Sequence, residues 1–354
     1  MNLSRRDFAK LAVSAGGSLM LPRTSFAAEG SKIDGVQIGA ITYSFRQGVD
    51  KKQIPAIMQK IGLSEVELMS GDAEAIAGMP SMPGGGFGPR PSGPVAEAPN
   101  GCPANSPSGQ NALVKAGTAP APRGPGGGPR TPEQEAMQKT IADWRMAATP
   151  STWKGVRKAY NDAGVDVQIL CYNMRMTIKD DEIEYAFQMA RDLGVRAISS
   201  SSTVEFAKRV APFADKHKMM WSGHGHANIF DDEEFAKPET FKEIMGFSKY
   251  IGVNLDIGHF TAAGYDAVAY IPQIHDRITN IHLKDRMKPD KCYNSANVVW
   301  GTGQTPIKEV LQLMRKNKYT FPANIEYEYQ TPAGSDSVAE VAKCYEYARK
   351  CLLG

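Results

Sequence analysis

Eight short apolar runs, each separated from the next by a segment patterned as helix, limit the possible folds of this chain more than any other feature. The runs are Val36 to Thr42, Ser64 to Met69, Val165 to Cys171, Val195 to Ser199, Met219 to His224, Val253 to His259, Ile278 to Asp285 and Ala323 to Glu328. Helical patterning fills the intervals at Asp50 to Ile61, Thr131 to Met146, about Thr149 to Gly164, Asp180 to Leu193, Glu205 to His217, Pro238 to Ile251, Ala262 to Ile274 and Pro306 to Lys316. It closes the chain at Ser337 to Leu352. Parallel strands need a crossover between them, so strict alternation argues for a parallel sheet, and eight repeats closed on themselves make a (β/α)8 barrel of the α/β class. An open doubly wound sheet ordinarily carries a Gly-rich phosphate turn after its first strand, and Gly39 and Gly48 do not form one.

Four successive runs end in residues that ligate metals. Met219-Met-Trp-Ser-Gly-His-Gly-His226 brings His224, with His226 as the alternative. Val253-Asn-Leu-Asp-Ile-Gly-His259 brings Asp256, Ile278-Thr-Asn-Ile-His-Leu-Lys-Asp285 brings His282, and Ala323-Asn-Ile-Glu-Tyr-Glu328 brings Glu326. Active sites of such barrels sit at the C-terminal ends of the strands. Taken singly, each residue is as readily a hydrogen-bonded structural group. Four on consecutive strand ends point to one divalent ion, and two imidazoles with two carboxylates suit Mn, Co, Fe or Zn better than Ca. Without a thiolate, the set does not describe a closed structural zinc site.

The pattern is interrupted once. From Met79 to Arg130, 24 of 52 residues are Gly or Pro, a composition that buries too little apolar surface to offset its ordering entropy. This segment is expected to be a disordered insertion after the second strand, within a single barrel domain running from residue 33 to 354. Ahead of it, Ser4-Arg-Arg-Asp-Phe-Ala-Lys10, the short apolar run Leu11 to Leu21 and Thr24-Ser-Phe-Ala27 resemble a twin-arginine export signal covering residues 1–28. The expected product is a periplasmic or extracellular protein handed over by the twin-arginine machinery. The apolar run is too short for a permanent membrane anchor. Five scattered cysteines form no recognisable framework, with one disulfide open outside the cytoplasm. A net charge of +3 without a basic cluster gives no reason to expect a nucleic-acid partner. The oligomeric state is not legible.

The runs Leu255-Asp-Ile-Gly-His259, Ile281-His-Leu-Lys-Asp285 and Ile325-Glu-Tyr-Glu328, in that order, resemble the xylose isomerase-like TIM barrels. That superfamily holds sugar and sugar-phosphate isomerases and epimerases, inosose dehydratases, hydroxypyruvate isomerases and metal-dependent AP endonucleases. The resemblance covers about Ile33 to the C-terminus, apart from the insertion. It implies that Asp256, His282 and Glu326 are metal ligands and that His259 touches substrate beside the metal. One departure stands out: where the epimerases place a glutamate on the fifth strand, this chain has Gly223-His-Gly-His226. Epimerases of that branch use two metal-bound glutamates on opposite faces of the substrate, so the implied chemistry here has a single carboxylate base.

The expected function is therefore metal-dependent isomerisation or epimerisation of a carbohydrate, by removal of a proton next to a carbonyl through an enediolate. A lyase or dehydratase that expels a leaving group from a keto-sugar or 3-keto-glycoside shares its first step. An exported, non-catalytic carbohydrate-binding protein is the alternative from another class. Glu326 or its same-face neighbour Glu328 is the expected base, its carboxyl raised by a dry pocket. His259 is read as a donor. Lys284 is read as an oxyanion holder, with pairing to Asp285 or Glu67 as the structural alternative. Glu67 and His226 are expected to bind sugar hydroxyls, and Trp221 and Tyr43 to stack on the ring.

Overall fold

The structure is a computed structural model that describes residues 30–80, 96–117 and 131–354. Its strands are β1 (Lys32–Ile33), β2 (Val36–Ile41), β3 (Glu65–Met69), β4 (Asp166–Cys171), β5 (Ala197–Ser200), β6 (Met220–His224), β7 (Ile251–Asp256), β8 (Ile278–Leu283) and β9 (Ala323–Ile325). β1 is a short antiparallel addition to β2. From β2 onward each strand pairs in parallel with the next, and β9 returns to pair with β2. Eight parallel strands thus close into the expected barrel.

Period-two alternation sorts the side chains. Val66, Leu68, Trp221, Val253, Leu255, Ile281 and Leu283 are fully buried members of the core shared with the helices. The opposite parity points inward and is polar: Glu65, Glu67, Ser199, Ser222, Asn254, Asn280 and Asn324 are all inaccessible to solvent. Barrel interiors are usually packed with branched apolar side chains. Here hydrogen bonds do that work, Asn280 Nδ2 donating to Asn324 Oδ1 at 3.1 Å and Asn324 Nδ2 to Glu65 at 2.5 Å. Gly39 makes room for this layer, since a Cβ there would lie 1.6 Å from Glu65 Oε2.

Two helices differ from expectation. The helix expected over Pro238 to Ile251 spans Pro238–Met245, because Gly246 follows and Ile251 is fully buried as the first residue of β7, opposite Trp221. The helix expected over Ala262 to Ile274 spans Ala267–Ile274, after Gly264 with φ of 91°, and the end of the run expected as strand over Val253 to His259 is instead a short helix, Ile257–Ala262, capped by Asp256.

The expectation of a structureless insertion is narrowed. Residues 96–117 contain a helix, Pro107–Lys115, capped by Ser106, and Cys102 forms a disulfide with Cys292, 190 residues away on the loop after β8. That cross-link supplies a constraint that apolar burial in this segment does not. The rest of the insertion at 81–95 and 118–130, and the expected export signal, lie outside the described residues. Among the described residues no helix is long and apolar enough to cross a membrane.

Candidate active site

The register of the barrel brings the strand ends together. Asp256 lies opposite His282, and His224 opposite Asn254. Glu326 follows the last residue of β9, its N–H bonded to the carbonyl of Leu283 at 2.9 Å. One ligand atom each from His224, Asp256, His282 and Glu326 lies within 4.8 Å of all the others, and all four residues are buried. The four groups expected to converge do so.

His282 is held from both sides. Nδ1 is 2.7 Å from Glu326 Oε2 and Nε2 is 2.5 Å from Glu67 Oε2. Glu67 also accepts from Asn280 Nδ2 at 2.8 Å, from Asn254 Nδ2 at 3.3 Å and from the Ser199 hydroxyl. Burial opposes a charge on the His282 ring, but Glu67 and Glu326 together outweigh it and raise its pKa well above the ordinary value. Glu67 was expected to bind sugar hydroxyls; instead it lies on the floor of the site, inaccessible, bracing His282 as a carboxylate braces a ligating imidazole.

Asp256 divides its oxygens. Oδ1 accepts the N–H of His259 at 2.7 Å and caps the short helix that follows, leaving Oδ2 toward the cavity, 3.1 Å from Lys284 Nζ. Burial raises its carboxyl, with Lys284 opposing. Lys284 Nζ also lies 2.9 Å from Glu326 Oε2 and 2.7 Å from Glu328 Oε2. Neither Asp285 nor Glu67 is its partner. Burial alone would discharge this ammonium, yet the three carboxylates hold its pKa above the usual lysine value. Gly258 admits the side chain: a Cβ there would stand 2.3 Å from Lys284 Cγ. Burial likewise opposes the charge of Glu326, but Lys284 and His282 hold its carboxyl well below the usual range, contrary to the raised value expected for a base. Glu328, nearer the mouth, pairs with Lys284 and lies 3.4 Å from Asn297 Nδ2.

The donor set fits a divalent ion on three counts. The His224 ring is pushed by burial and by His282 toward its neutral form, and its Nδ1 is buried without a hydrogen-bond partner. Asp256 Oδ2 and Glu326 Oε2 already share a cation, the Lys284 ammonium. Two imidazoles and two carboxylates match borderline transition metals.

Around this cluster stand His226, with Nδ1 3.3 Å from Glu234 Oε1, and His259, with its ring 5.1 Å from that of His226. Burial, then Lys284 and Arg286, push the His259 ring well below the ordinary histidine pKa. Arg286, which the sequence reading did not single out, donates from Nη1 to His259 Nδ1 and from Nη2 to the Ser295 carbonyl at 2.7 Å. No local signal marks it, since its loop bears no periodicity; Asn254 and Asn280, two residues before Asp256 and His282, were findable from strand parity. Trp221, expected to stack on a sugar, is fully buried on the other side of β6 against Phe206 and Phe235, because it is three residues from His224 and so of opposite parity. Tyr43 is half-buried near Glu328 with the Arg46 guanidinium 4.3 Å over its ring.

A family model described as xylose isomerase-like TIM barrel matches residues 134–348. Among solved structures, the chain is similar to a sugar phosphate isomerase/epimerase from Parabacteroides distasonis (14% identity, 88% of this chain and 93% of that one, TM-score 0.51). It is similar to the probable 3-DHS dehydratase AsbF of Bacillus anthracis (12%, 89% and 99%, TM-score 0.54). A xylose isomerase domain protein from Alicyclobacillus acidocaldarius is a third (12%, 90% and 98%, TM-score 0.56). At these identities the likeness is one of fold. No curated protein matches.

Proposed function

This chain belongs to the xylose isomerase-like TIM barrel family, and from that premise we propose that it is a metal-dependent carbohydrate isomerase or epimerase that removes a proton next to a carbonyl. The observation that carries the reading is the convergence of His224, Asp256, His282 and Glu326 within ligand distance at the barrel mouth. These four residues hold the ion, and Glu67 keeps His282 oriented. Bound there, a divalent ion supplies positive charge against the oxyanion that develops when the C–H bond ionises. Glu328 takes the proton: it stands outside the ligand cluster, is the most accessible of the three carboxylates around Lys284, and lies 2.7 Å from that ammonium. Lys284 and His259 face the oxygens of the substrate. Tyr43 narrows the mouth on the Glu328 side.

The imidazole of His224 favours a second reading. With no carboxylate at that position, only one base serves the substrate, which suits elimination from a keto-sugar as well as proton return to the same face. Incubation of candidate keto-sugars in D₂O separates the two: deuterium at carbon with the skeleton intact supports isomerisation, and release of water or an aglycone supports the lyase. Glu328→Gln should keep the metal and lose deuterium uptake, whereas Glu326→Gln should lose both. Full deuterium uptake by Glu328→Gln removes it as the base, and an active protein without metal removes the mechanism. An exported location follows from the twin-arginine pattern and agrees with the Cys102–Cys292 cross-link. Signal-dependent appearance of the protein outside the cytoplasm is its test.

A further inference from the structure

The chain that leaves β8 runs out to Cys292 and returns as an antiparallel ribbon. Arg286 bridges Asn297, the Met287 N–H donates to the Ala296 carbonyl at 3.1 Å, and the Val298 N–H donates to the Asp285 carbonyl at 3.0 Å. Residues opposite each other on such a ribbon project to the same side. Arg286 reaches His259 and Asn297 Nδ2 lies 3.4 Å from Glu328 Oε2, so this side faces the mouth of the barrel. The root of the ribbon is fastened to the barrel: Asp285 accepts from Gly301, Gly303 and Thr305 at 2.8, 2.9 and 3.2 Å, and Thr305 Oγ1 accepts the Arg286 N–H at 2.9 Å. The tip stands further out. Asp290 Oδ1 bends it by accepting the N–H groups of Cys292 and Asn294 at 2.8 and 2.9 Å, and the Tyr293 ring meets Phe230, itself 36% exposed, edge-on at 5.2 Å.

What covers that tip is the segment 96–117, which folds on itself. The Ala98 N–H donates to the Cys102 carbonyl at 2.8 Å and the Ala104 N–H to the Ala96 carbonyl at 2.7 Å. Asn100 accepts the Cys102 N–H at 3.2 Å and donates to the Ser108 carbonyl at 3.1 Å. A Cβ at Gly109 would lie 2.1 Å from the Pro103 carbonyl oxygen. Among the described residues, none of this segment's side chains joins the apolar core of the barrel. Its hold on the ribbon is the Cys102–Cys292 bond, with the Ser108 N–H at 3.3 Å from the Cys292 carbonyl beside it.

We infer that Cys102–Cys292 is an assembly latch: oxidation of this pair docks segment 96–117 on the tip of the 286–297 ribbon, and docking holds the ribbon, with Asn297 beside Glu328, over the mouth. A bond between positions 190 apart removes freedom that the few contacts of the segment do not remove by themselves. Closing the latch takes a disulfide oxidant. One cysteine thiolate attacks it to form a mixed disulfide, the second cysteine displaces the remaining half, and two electrons and two protons pass to the oxidant, which ends as two thiols. Both cysteines are then buried, at 4% and 3% exposure, so an attacking thiolate has no path to either sulfur and the latch closes one way. What the held ribbon does for the reaction rests on Glu328 as the proposed base; the mechanics of the latch do not.

Hydrogen exchange read by mass spectrometry tests it on the full chain in three forms: oxidised wild type, wild type refolded with reductant present, and the Cys102→Ser/Cys292→Ser double variant. In the second and third forms, protection of segments 96–117 and 286–297 should fall by at least about tenfold, while the amides of β6, β7 and β8 keep theirs. Glutathione disulfide should restore protection to the reduced wild type and leave the double variant unchanged. Dithiothreitol should leave the bond of the native oxidised protein intact and cleave it once guanidinium is added. Unchanged protection of either segment without the bond, loss of protection throughout β6–β8, restoration in the double variant, or cleavage by dithiothreitol without denaturant would each overturn the inference. None of these readouts uses turnover or a metal ion, so the latch and the proposed reaction fail separately.

Discussion

Replacing Lys284 by Met tests whether the carboxylates at the mouth share one cation position. Lys284 is 2% exposed and its ammonium stands 3.1 Å from Asp256, 2.9 Å from Glu326 and 2.7 Å from Glu328. Met nearly matches the stem in volume, so the change removes charge with little loss of packing. Stripping one partner from a buried charge set costs about 3–5 kcal/mol, because the remaining charges stay desolvated and uncompensated. At about 2 °C per kcal/mol for a large domain, the metal-free variant should melt roughly 6–10 °C below the wild type. A divalent ion reverses part of this. In the wild type the ammonium competes with it for Asp256 and Glu326, so Lys284→Met should bind the ion more tightly, and each tenfold gain returns about 1.4 kcal/mol at saturation. The assay is thermal unfolding of both proteins in chelator and in saturating Mn²⁺, with the dissociation constant measured calorimetrically. A melting gap of the same size under both conditions, or weaker Mn²⁺ binding by the variant, would refute the reasoning.

Four further outcomes follow from the geometry. The His282 pKa is raised in the metal-free protein by Glu67 and Glu326 against burial, so binding an ion at Nδ1 must displace a proton; apparent affinity should rise about tenfold per pH unit up to the folded pKa and then level off. The same raised pKa contributes stability to the metal-free protein that is fully present below the unfolded histidine value near 6.5 and lost as pH rises through the folded one, so chelator-treated protein should lose stability over the range where metal affinity climbs. With Cys171, Cys344 and Cys351 free and Cys102 bonded to Cys292, denatured but unreduced protein should alkylate at three cysteines, and reduced protein at five; five without reductant would exclude the cross-link. Trp221→Ala should cost about 3–5 kcal/mol of stability and leave KM for any substrate unchanged in the folded fraction, and a selective rise in KM would return Trp221 to the site.

Much of this protein is written locally. Period-two alternation and helical spacing are properties of neighbouring residues, so the eight barrel strands, most of the bounding helices and the candidate ligands at positions 224, 256, 282 and 326 could be read without coordinates. Parity also contained the answer for Trp221, but not for Glu67. The first is out of phase with His224; the second shares the inward face, but lies one layer lower, and depth along a barrel depends on the stagger between strands rather than on either strand alone. What the chain folded in three dimensions decides is which partner each charge meets. Lys284 reaches Asp256, Glu326 and Glu328 rather than the adjacent Asp285, whose carboxylate is taken up by the loop N–H groups at 301, 303 and 305. Arg286 finds His259 across 27 residues, and Cys102 finds Cys292 across 190. Those contacts join segments with no shared periodicity, brought together by barrel closure and loop packing, and a repeating local pattern has no means of recording them.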